Sequence, residues 1–253
     1  MIEIVLITPL ILGFIPLILM IRRSVKNFID KRRVYRKYYK GNMRDIPCNK
    51  DILKIYYISI TKNIVFNKFN IINAYILKWI YNKNISIIDK NKVLMKESPE
   101  EEIEKQLYNL LSKCSINDVL RFSNVNSYMK KNYYEFELWY QMFWASIETR
   151  YYDEITDEDI SNIVGLKEFL KHFSSFDAAE IKNIHQWEAY LLCAAIFGIT
   201  KNIMKQTDSV NLFELALVNP YMQSKQDYNL IKKLMNLASK IIDSAIENDD
   251  ENY

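Results

Sequence analysis

Residues 70–96 read NIINAYILKWIYNKNISIIDKNKVLMK, and this stretch decides the fold. From Asn70 to about Asn82 the apolar residues Ile72, Tyr75, Ile76 and Trp79 recur at helical spacing. They form one stripe, which needs a partner surface to leave water. Asn70 stands where a side chain could cap the helix start. Beyond Asn82, Ile85-Ser86-Ile87-Ile88 and Val93-Leu94-Met95-Lys96 flank the polar Asp89-Lys90-Asn91-Lys92, the pattern of a short β-hairpin. Upstream, about Asp51 to Asn63 carries Ile52, Ile55, Tyr56 and Ser59 at helical spacing. Helix, helix and hairpin in that order predict a winged-helix-like unit within residues 46–131.

Downstream the pattern is helical again. Ser98-Pro99-Glu100-Glu101 reads as a helix start, with a capping Ser, Pro at the first helical position and Glu three residues after the cap; that helix should run to Cys114. Ser115 and Asp118 mark another start. Glu135 to Tyr152 carries Phe136, Leu138, Trp139, Met142, Phe143 and Trp144, an aromatic band expected in the core. Thr156-Asp157-Glu158-Asp159 reads as capping and dipole complement. A calcium loop would need oxygen ligands at alternating positions and a Gly bend. Leu166 to Phe173 continues that helix.

With 253 residues, 49% of them hydrophobic, and only 4 Gly and 5 Pro, the chain can bury a core and is neither collagen-like, low-complexity nor a turn-dense β-sandwich. Mainly α is the expected class. Residues 132–206 should form a second helical part, and residues 207–253 a C-terminal helix with an acidic tail. That tail holds Asp243, Glu247, Asp249, Asp250 and Glu251, with no base after Lys240.

The net charge of +3 hides a segregation. Between Arg22 and Arg44 ten basic residues face one acid, Asp30, so this segment is +9 and the remainder is −6. Immediately before it, Ile4 to Ile21 holds no charge and would span about 27 Å as a helix, close to the hydrocarbon thickness of a bilayer. Residues 1–21 are therefore expected to form a transmembrane helix, kinked at Pro9 and Pro16. Glu3 before the run and Arg22-Arg23 after it fit a retained anchor rather than a cleaved signal. The positive flank places the bulk of the chain in the cytoplasm, with the N-terminus outside a plasma membrane. Residues 22–45 would then be a basic juxtamembrane segment. Its Arg22, Arg23, Lys26, Arg32, Arg33, Arg36 and Lys37 would meet anionic lipid headgroups, at about 1 kcal/mol per basic residue near the surface. Nucleic acid is the weaker partner: a recognition helix over 70–82 would offer only Lys78 and Lys83 as cations.

Two segments are the most distinctive: Leu166-Lys167-Glu168-Phe169-Leu170-Lys171-His172-Phe173-Ser174, and then Trp187-Glu188-Ala189-Tyr190-Leu191-Leu192-Cys193-Ala194 followed by Gly198-Ile199-Thr200-Lys201. With Ile46-Pro47 and Ala74-Tyr75-Ile76-Leu77-Lys78-Trp79, they resemble the YciQ-like family of bacterial membrane proteins of unknown function, over roughly residues 44–206. The resemblance implies membrane association and no known enzyme activity. Members of that family carry a large external domain before the span and two further membrane helices after the Trp-Glu motif; this sequence resembles only the cytosolic portion. Trp187, Tyr190, Leu191, Ala194 and Gly198 fall on one helical face, with small residues four apart that permit close approach of another helix, either inside the protein or on a partner. Tyr190 to Met204 is apolar but short for a span, and could lie against a membrane surface.

No catalytic constellation stands out. His172 and His185 have no ligand partners at metal spacing. There is no Walker loop, Rossmann glycine fingerprint or GxSxG elbow. Cys48, Cys114 and Cys193 lie far apart with no CxxC pair, so neither a disulfide framework nor a zinc cluster is expected within one chain. Cys193 reads as an inert buried thiol. The chain is thus expected to bind no cofactor and no metal. It should act as a single-pass, non-enzymatic module that binds another protein; the alternative is a membrane-tethered winged-helix regulator of nucleic acid.

Overall fold

Helix α3 (Asn70–Tyr81) is enclosed on every side: of its twelve residues only Lys78 is exposed. The computed structural model describes residues 22, 24–26, 29–89, 92–174 and 184–200. In chain order it contains α1 (the helical residues 22, 24–26 and 29–38), a single turn at Cys48–Lys50, α2 (Ile52–Thr61), α3, β1 (Ile85–Asp89) and β2 (Lys92–Met95). There follow α4 (Glu102–Ser112), β3 (Ser115–Ile116), β4 (Val119–Arg121), α5 (Phe122–Lys131), α6 (Tyr133–Tyr151), α7 (Asp157–Lys171) and α8 (Ile184–Phe197). The class is mainly α, as the sequence patterning implies.

The enclosure of α3 follows from its composition. Ile71, Ile72, Ala74, Tyr75, Ile76, Leu77, Trp79 and Ile80 leave no polar face, and a helix apolar all round must be covered all round. Helix α8 packs along it. Tyr75 meets Trp139 and Phe143 of α6 edge-on, at centroid separations of 6.3 and 6.0 Å, and Trp79 meets Tyr108 of α4 at 5.3 Å. The residues that bury here come from both sides of position 131, and they form one cluster running from Ile55 to Phe197.

The four strands form one antiparallel sheet in the order β1-β2-β4-β3. Ile85 lies opposite Met95, and Val93 opposite Leu120; all four are buried, so one face of the sheet turns to the core. The expected helix–helix–hairpin order is present in α2, α3 and β1–β2. The hairpin is not a free wing, however, because β2 also pairs with β4, and α3 has no open face to offer as a recognition helix.

Three local expectations are corrected. Helix α4 starts at Glu102 rather than near Ser98: Glu101 is the cap and accepts from the Glu104 N–H at 3.1 Å. Ser115 and Asp118 do not begin a helix. Asn117 and Asp118 hold φ of 51° and 60°, and Ser115 pairs with Leu120, so they are the two-residue turn of a hairpin. Asn70 does not cap α3: its side-chain amide donates to the Ile196 carbonyl of α8 at 2.9 Å.

No helix among the described residues is long and apolar enough to cross a membrane. The expected span over residues 1–21 and the expected C-terminal helix and tail over 207–253 lie outside the described residues.

The polar tie at α3 is Glu104 of α4. Its buried side chain accepts from the Trp79 indole N–H at 3.1 Å and pairs with Lys78, while Trp139 of α6 donates to the Ile103 carbonyl at 2.9 Å. Glu104→Ala leaves the buried Trp79 N–H without an acceptor and should cost about 2–3 kcal/mol; Glu104→Gln keeps an oxygen there and should cost about 1 kcal/mol. Urea unfolding of the full chain in detergent checks both values, and equal losses would show that the Trp79 bond contributes nothing.

Candidate functional site

Helix α1 has two unlike faces, and the helical period produces them. On one side Val34, Tyr35 and Tyr38 are partly buried against the core. The other side carries six exposed cations: Arg22, Lys26, Arg32, Arg33, Arg36 and Lys37. Val25 and Ile29 share that side, each about half exposed. Ile29, Arg32, Arg33, Arg36 and Lys37 line an open groove of about 540 Å³. The half-buried Asp30 lies at the margin, one turn from Lys26 and Arg33, and Asp157 of α7 lies near Lys37, so the face is strongly but not wholly positive.

Helix α7 holds α1 in this orientation. Ser161, Gly165 and Glu168 lie at positions i, i+4 and i+7, a single stripe. The Ser161 hydroxyl donates to the Tyr38 carbonyl at 2.8 Å. At Gly165 an added Cβ would sit 2.6 Å from the Gly41 carbonyl oxygen and 3.0 Å from the Met43 Cβ, so only glycine lets the neck cross here. Burial pushes the Tyr35 phenol well above its usual range, and the neighbouring Glu168 carboxylate adds to the shift.

The neck continues into a turn of the opposite hand. Cys48, Asn49 and Lys50 hold φ of 53°, 53° and 67°, which costs roughly 1–2 kcal/mol for each residue with a Cβ. Asp51 offsets this. Its carboxylate accepts from the Leu53 and Lys54 N–H groups, both at 3.1 Å, and from the Tyr151 hydroxyl at 2.7 Å. The Cys48 thiol donates to Asp159 at 3.5 Å, and Lys54 lies 3.5 Å from the same carboxylate. Burial, with the Asp159 charge, pushes the Cys48 thiol up to about 12. It is not a thiolate near neutrality. Asp159 also completes the capping box with Thr156, the role its position implies.

Among the described residues no group of three or more His, Cys, Asp or Glu side chains is placed to hold a metal. Burial pushes the Cys114 thiol up to about 11 and drives that of the fully buried Cys193 higher still. His172 is exposed, with Nδ1 3.0 Å from the Glu168 carbonyl. The His185 and Trp187 side chains and Arg23 lie outside what the structure describes.

The rest of the Trp-Glu segment points inward. Tyr190, Leu191 and Ala194 are buried against the other helices. The Tyr190 hydroxyl donates to the Arg44 carbonyl at 2.5 Å, which ties α8 to the neck. Gly198 is the small residue its spacing implied, since an added Cβ would lie 3.0 Å from the Asn70 Nδ2 of α3, and it has a second role as well. At φ 68° it ends α8: its N–H bonds to the Ala195 carbonyl and that of Ile199 to the Ala194 carbonyl.

Two residues of this region are missing from the expectations above, and only the first carries a signal in the sequence. Gly165 is a mid-helix glycine in a chain with four glycines, and such a residue often marks a close approach. Lys167 is 7% exposed and donates to the Ile64 carbonyl. Burial, and secondarily Lys31 of α1, pull it down to about 8. A single lysine in an amphipathic helix gives no hint of this.

A second surface is largely uncharged, with Glu148 at its edge. Along α6, Tyr134, Leu138 and Met142 recur every four residues and are 74%, 45% and 43% exposed; Gln141, Ala145 and Thr149 complete the exposed stripe. Single exposed apolar residues are ordinary, whereas a stripe without charge marks a contact surface.

Gly165→Val should force the neck off α7, lowering stability by about 2 kcal/mol and exposing Lys40 and Arg44 to trypsin while the rest of the chain resists. Protection equal to wild type would show that the close approach does not hold the neck. For Lys167, the folded pKa near 8 lies below the usual lysine value of 10.5. The burial penalty is full below pH 8 and is relieved as pH rises to 10.5, because the unfolded chain holds the proton longer. Unfolding free energy should therefore rise by on the order of 3 kcal/mol across that window, in a component that Lys167→Met lacks.

No family model, no curated protein and no solved structure matches this chain.

Proposed function

We propose that this protein is a membrane-anchored helical module that lays the basic face of α1 on an anionic bilayer surface and presents its core to a protein partner. The observation that carries the reading is the division of α1 into a face packed on α7 and a face of six exposed cations with only Asp30 at its margin. Any surface helix turns its charges away from the packing side, but an ordinary one mixes the two signs, whereas here the exposed charge is almost wholly positive. The uncharged Ile4–Ile21 run directly before these cations supports the same arrangement. The polarity is then that of a single-pass plasma-membrane protein, N-terminus outside and α2 to α8 in the cytoplasm. The likeness to the YciQ-like family, carried by the Leu166–Ser174 and Trp187–Lys201 segments, fits a membrane role of this kind. The stripe on α6 supports the protein-binding half, since its exposed Tyr134, Leu138 and Met142 make a largely uncharged surface.

The regulator reading, in which the helix–helix–hairpin unit reads DNA, has little support: the one exposed residue of α3, Lys78, is paired with Glu104. Phosphates would instead be drawn to α1, where the attraction is blind to sequence.

The test uses the full chain reconstituted in nanodiscs of phosphatidylcholine, with or without phosphatidylserine. The Lys26 and Lys37 amines should acylate several-fold more slowly when phosphatidylserine is present, and high salt should remove the protection. Identical rates in the two lipids would sink the lipid-facing reading. Alkaline carbonate should leave the chain in the membrane pellet; release would remove the integral anchor. In a gel-shift titration any duplex binding should be equal for unrelated sequences and vanish as salt rises, and a preference for one sequence that persists at moderate salt would favour the regulator instead. Leu138→Glu with Met142→Glu should abolish in-cell crosslinking to a protein partner at unchanged stability, within about 0.5 kcal/mol, as expected for exposed sites.

A further inference from the structure

The basic face of α1 has a complementary segment within the same chain. Residues 241–251 read IIDSAIENDDE. Asp243 and Glu247 are four apart, Ile242 and Ile246 are four apart, and Asp249, Asp250 and Glu251 follow. On a helix this arrangement sets an apolar pair beside an acidic row. The α1 groove has the matching layout: Ile29 and the aliphatic stems of its cations form an apolar floor, and the charges of Arg32, Arg33, Arg36 and Lys37 form the rim. Charge and apolar pattern thus correspond on both sides.

Reach is no obstacle. About 40 residues separate Thr200, the last described residue, from Ile241; as a helix they would extend about 60 Å, and further if extended. A tethered segment meets its site at an effective concentration in the millimolar range, so modest contacts suffice to hold it.

We propose that residues 241–251 dock on the basic face of α1 and compete there with anionic lipid headgroups. The docking stands on the chain's own charge pattern; the competition rests on the lipid-facing reading above. Five acids meet a face of six cations, so the docked tail removes most of the charge that a leaflet would otherwise attract. The neck would then lie on the membrane only when anionic lipid is abundant enough to displace the tail.

The experiment uses the full chain in nanodiscs and a carbodiimide, which joins carboxylates to amines only in direct contact. In phosphatidylcholine at low salt, digestion and mass spectrometry should find Glu247, Asp249 or Asp250 joined to Lys26 or Lys37. The yield should fall several-fold at high salt and again when phosphatidylserine is present. A photoactivatable phosphatidylserine should label α1 several-fold more in a chain carrying Asp243→Asn, Glu247→Gln, Asp249→Asn, Asp250→Asn and Glu251→Gln than in wild type. Absence of tail-to-α1 crosslinks in phosphatidylcholine at low salt overturns the docking. Crosslinks that phosphatidylserine leaves unchanged overturn the competition. Crosslinks present with no lipid labelling in either chain support the docking and remove the lipid-facing reading, so the two failures are told apart.

Discussion

Everything in this molecule is arranged around the burial of α3. A helix with isoleucine, tyrosine, leucine and tryptophan on all sides has no stable place at a surface, and covering it takes α8, α6 and α4 from further along the chain, together with the first strand that directly follows it. The hydrophobic effect supplies the drive, at roughly 25 cal/mol for each Å² of apolar area removed from water. Geometry supplies the selection: a hairpin-fed sheet on one side and a helical layer on the other close the cage, at the cost of leaving the Asn73 side-chain oxygen buried without a partner. Glu104 shows the condition being met. Its carboxyl enters the core with an indole N–H and an ammonium as partners, so a charged side chain becomes a clamp between α3 and α4 rather than a defect.

From that core the other constraints follow outward. Closing α8 against α3 requires that α8 stop at Gly198, and Asn70 satisfies the Ile196 carbonyl left over at that end. Tyr190 then reaches the Arg44 carbonyl, and Gly165 leaves room for the chain at Gly41. The neck is therefore fixed by two helices at once. One consequence concerns function: a docked neck cannot rotate its basic side toward the core, so the cations of α1 stay outward whatever they bind. The left-handed turn at Cys48–Lys50 belongs to the same fixation. Strain there is tolerated because Asp51 caps α2 and receives Tyr151 from α6, which pins the turn from two directions.

The chemistry of the interior is conservative. Among the described residues the thiols are pushed up by burial, and the one strongly lowered base, Lys167, faces a backbone carbonyl rather than a cavity. Those features describe a scaffold. Among the described residues the outward surfaces on which the proposed contacts with lipid and with protein rest are the basic side of α1 and the largely uncharged stripe of α6.

By itself the sequence determined the mainly helical class, the β1–β2 hairpin, the Thr156 capping box and the segregation of positive charge into the neck. Each rests on residues close together in the chain, whose spacing and local hydrogen bonding act before any tertiary contact forms. Only the tertiary structure decided the rest. Asn117-Asp118 became a hairpin turn because β4 had β2 to pair with, Asn70 capped a distant helix rather than its own, and Gly165 mattered because Gly41 crosses over it. The winged-helix expectation failed to give α3 an exposed face for the same reason: the stripe Ile72, Tyr75, Ile76 and Trp79 describes one side of a helix, and how many sides are covered depends on what else the chain brings to it.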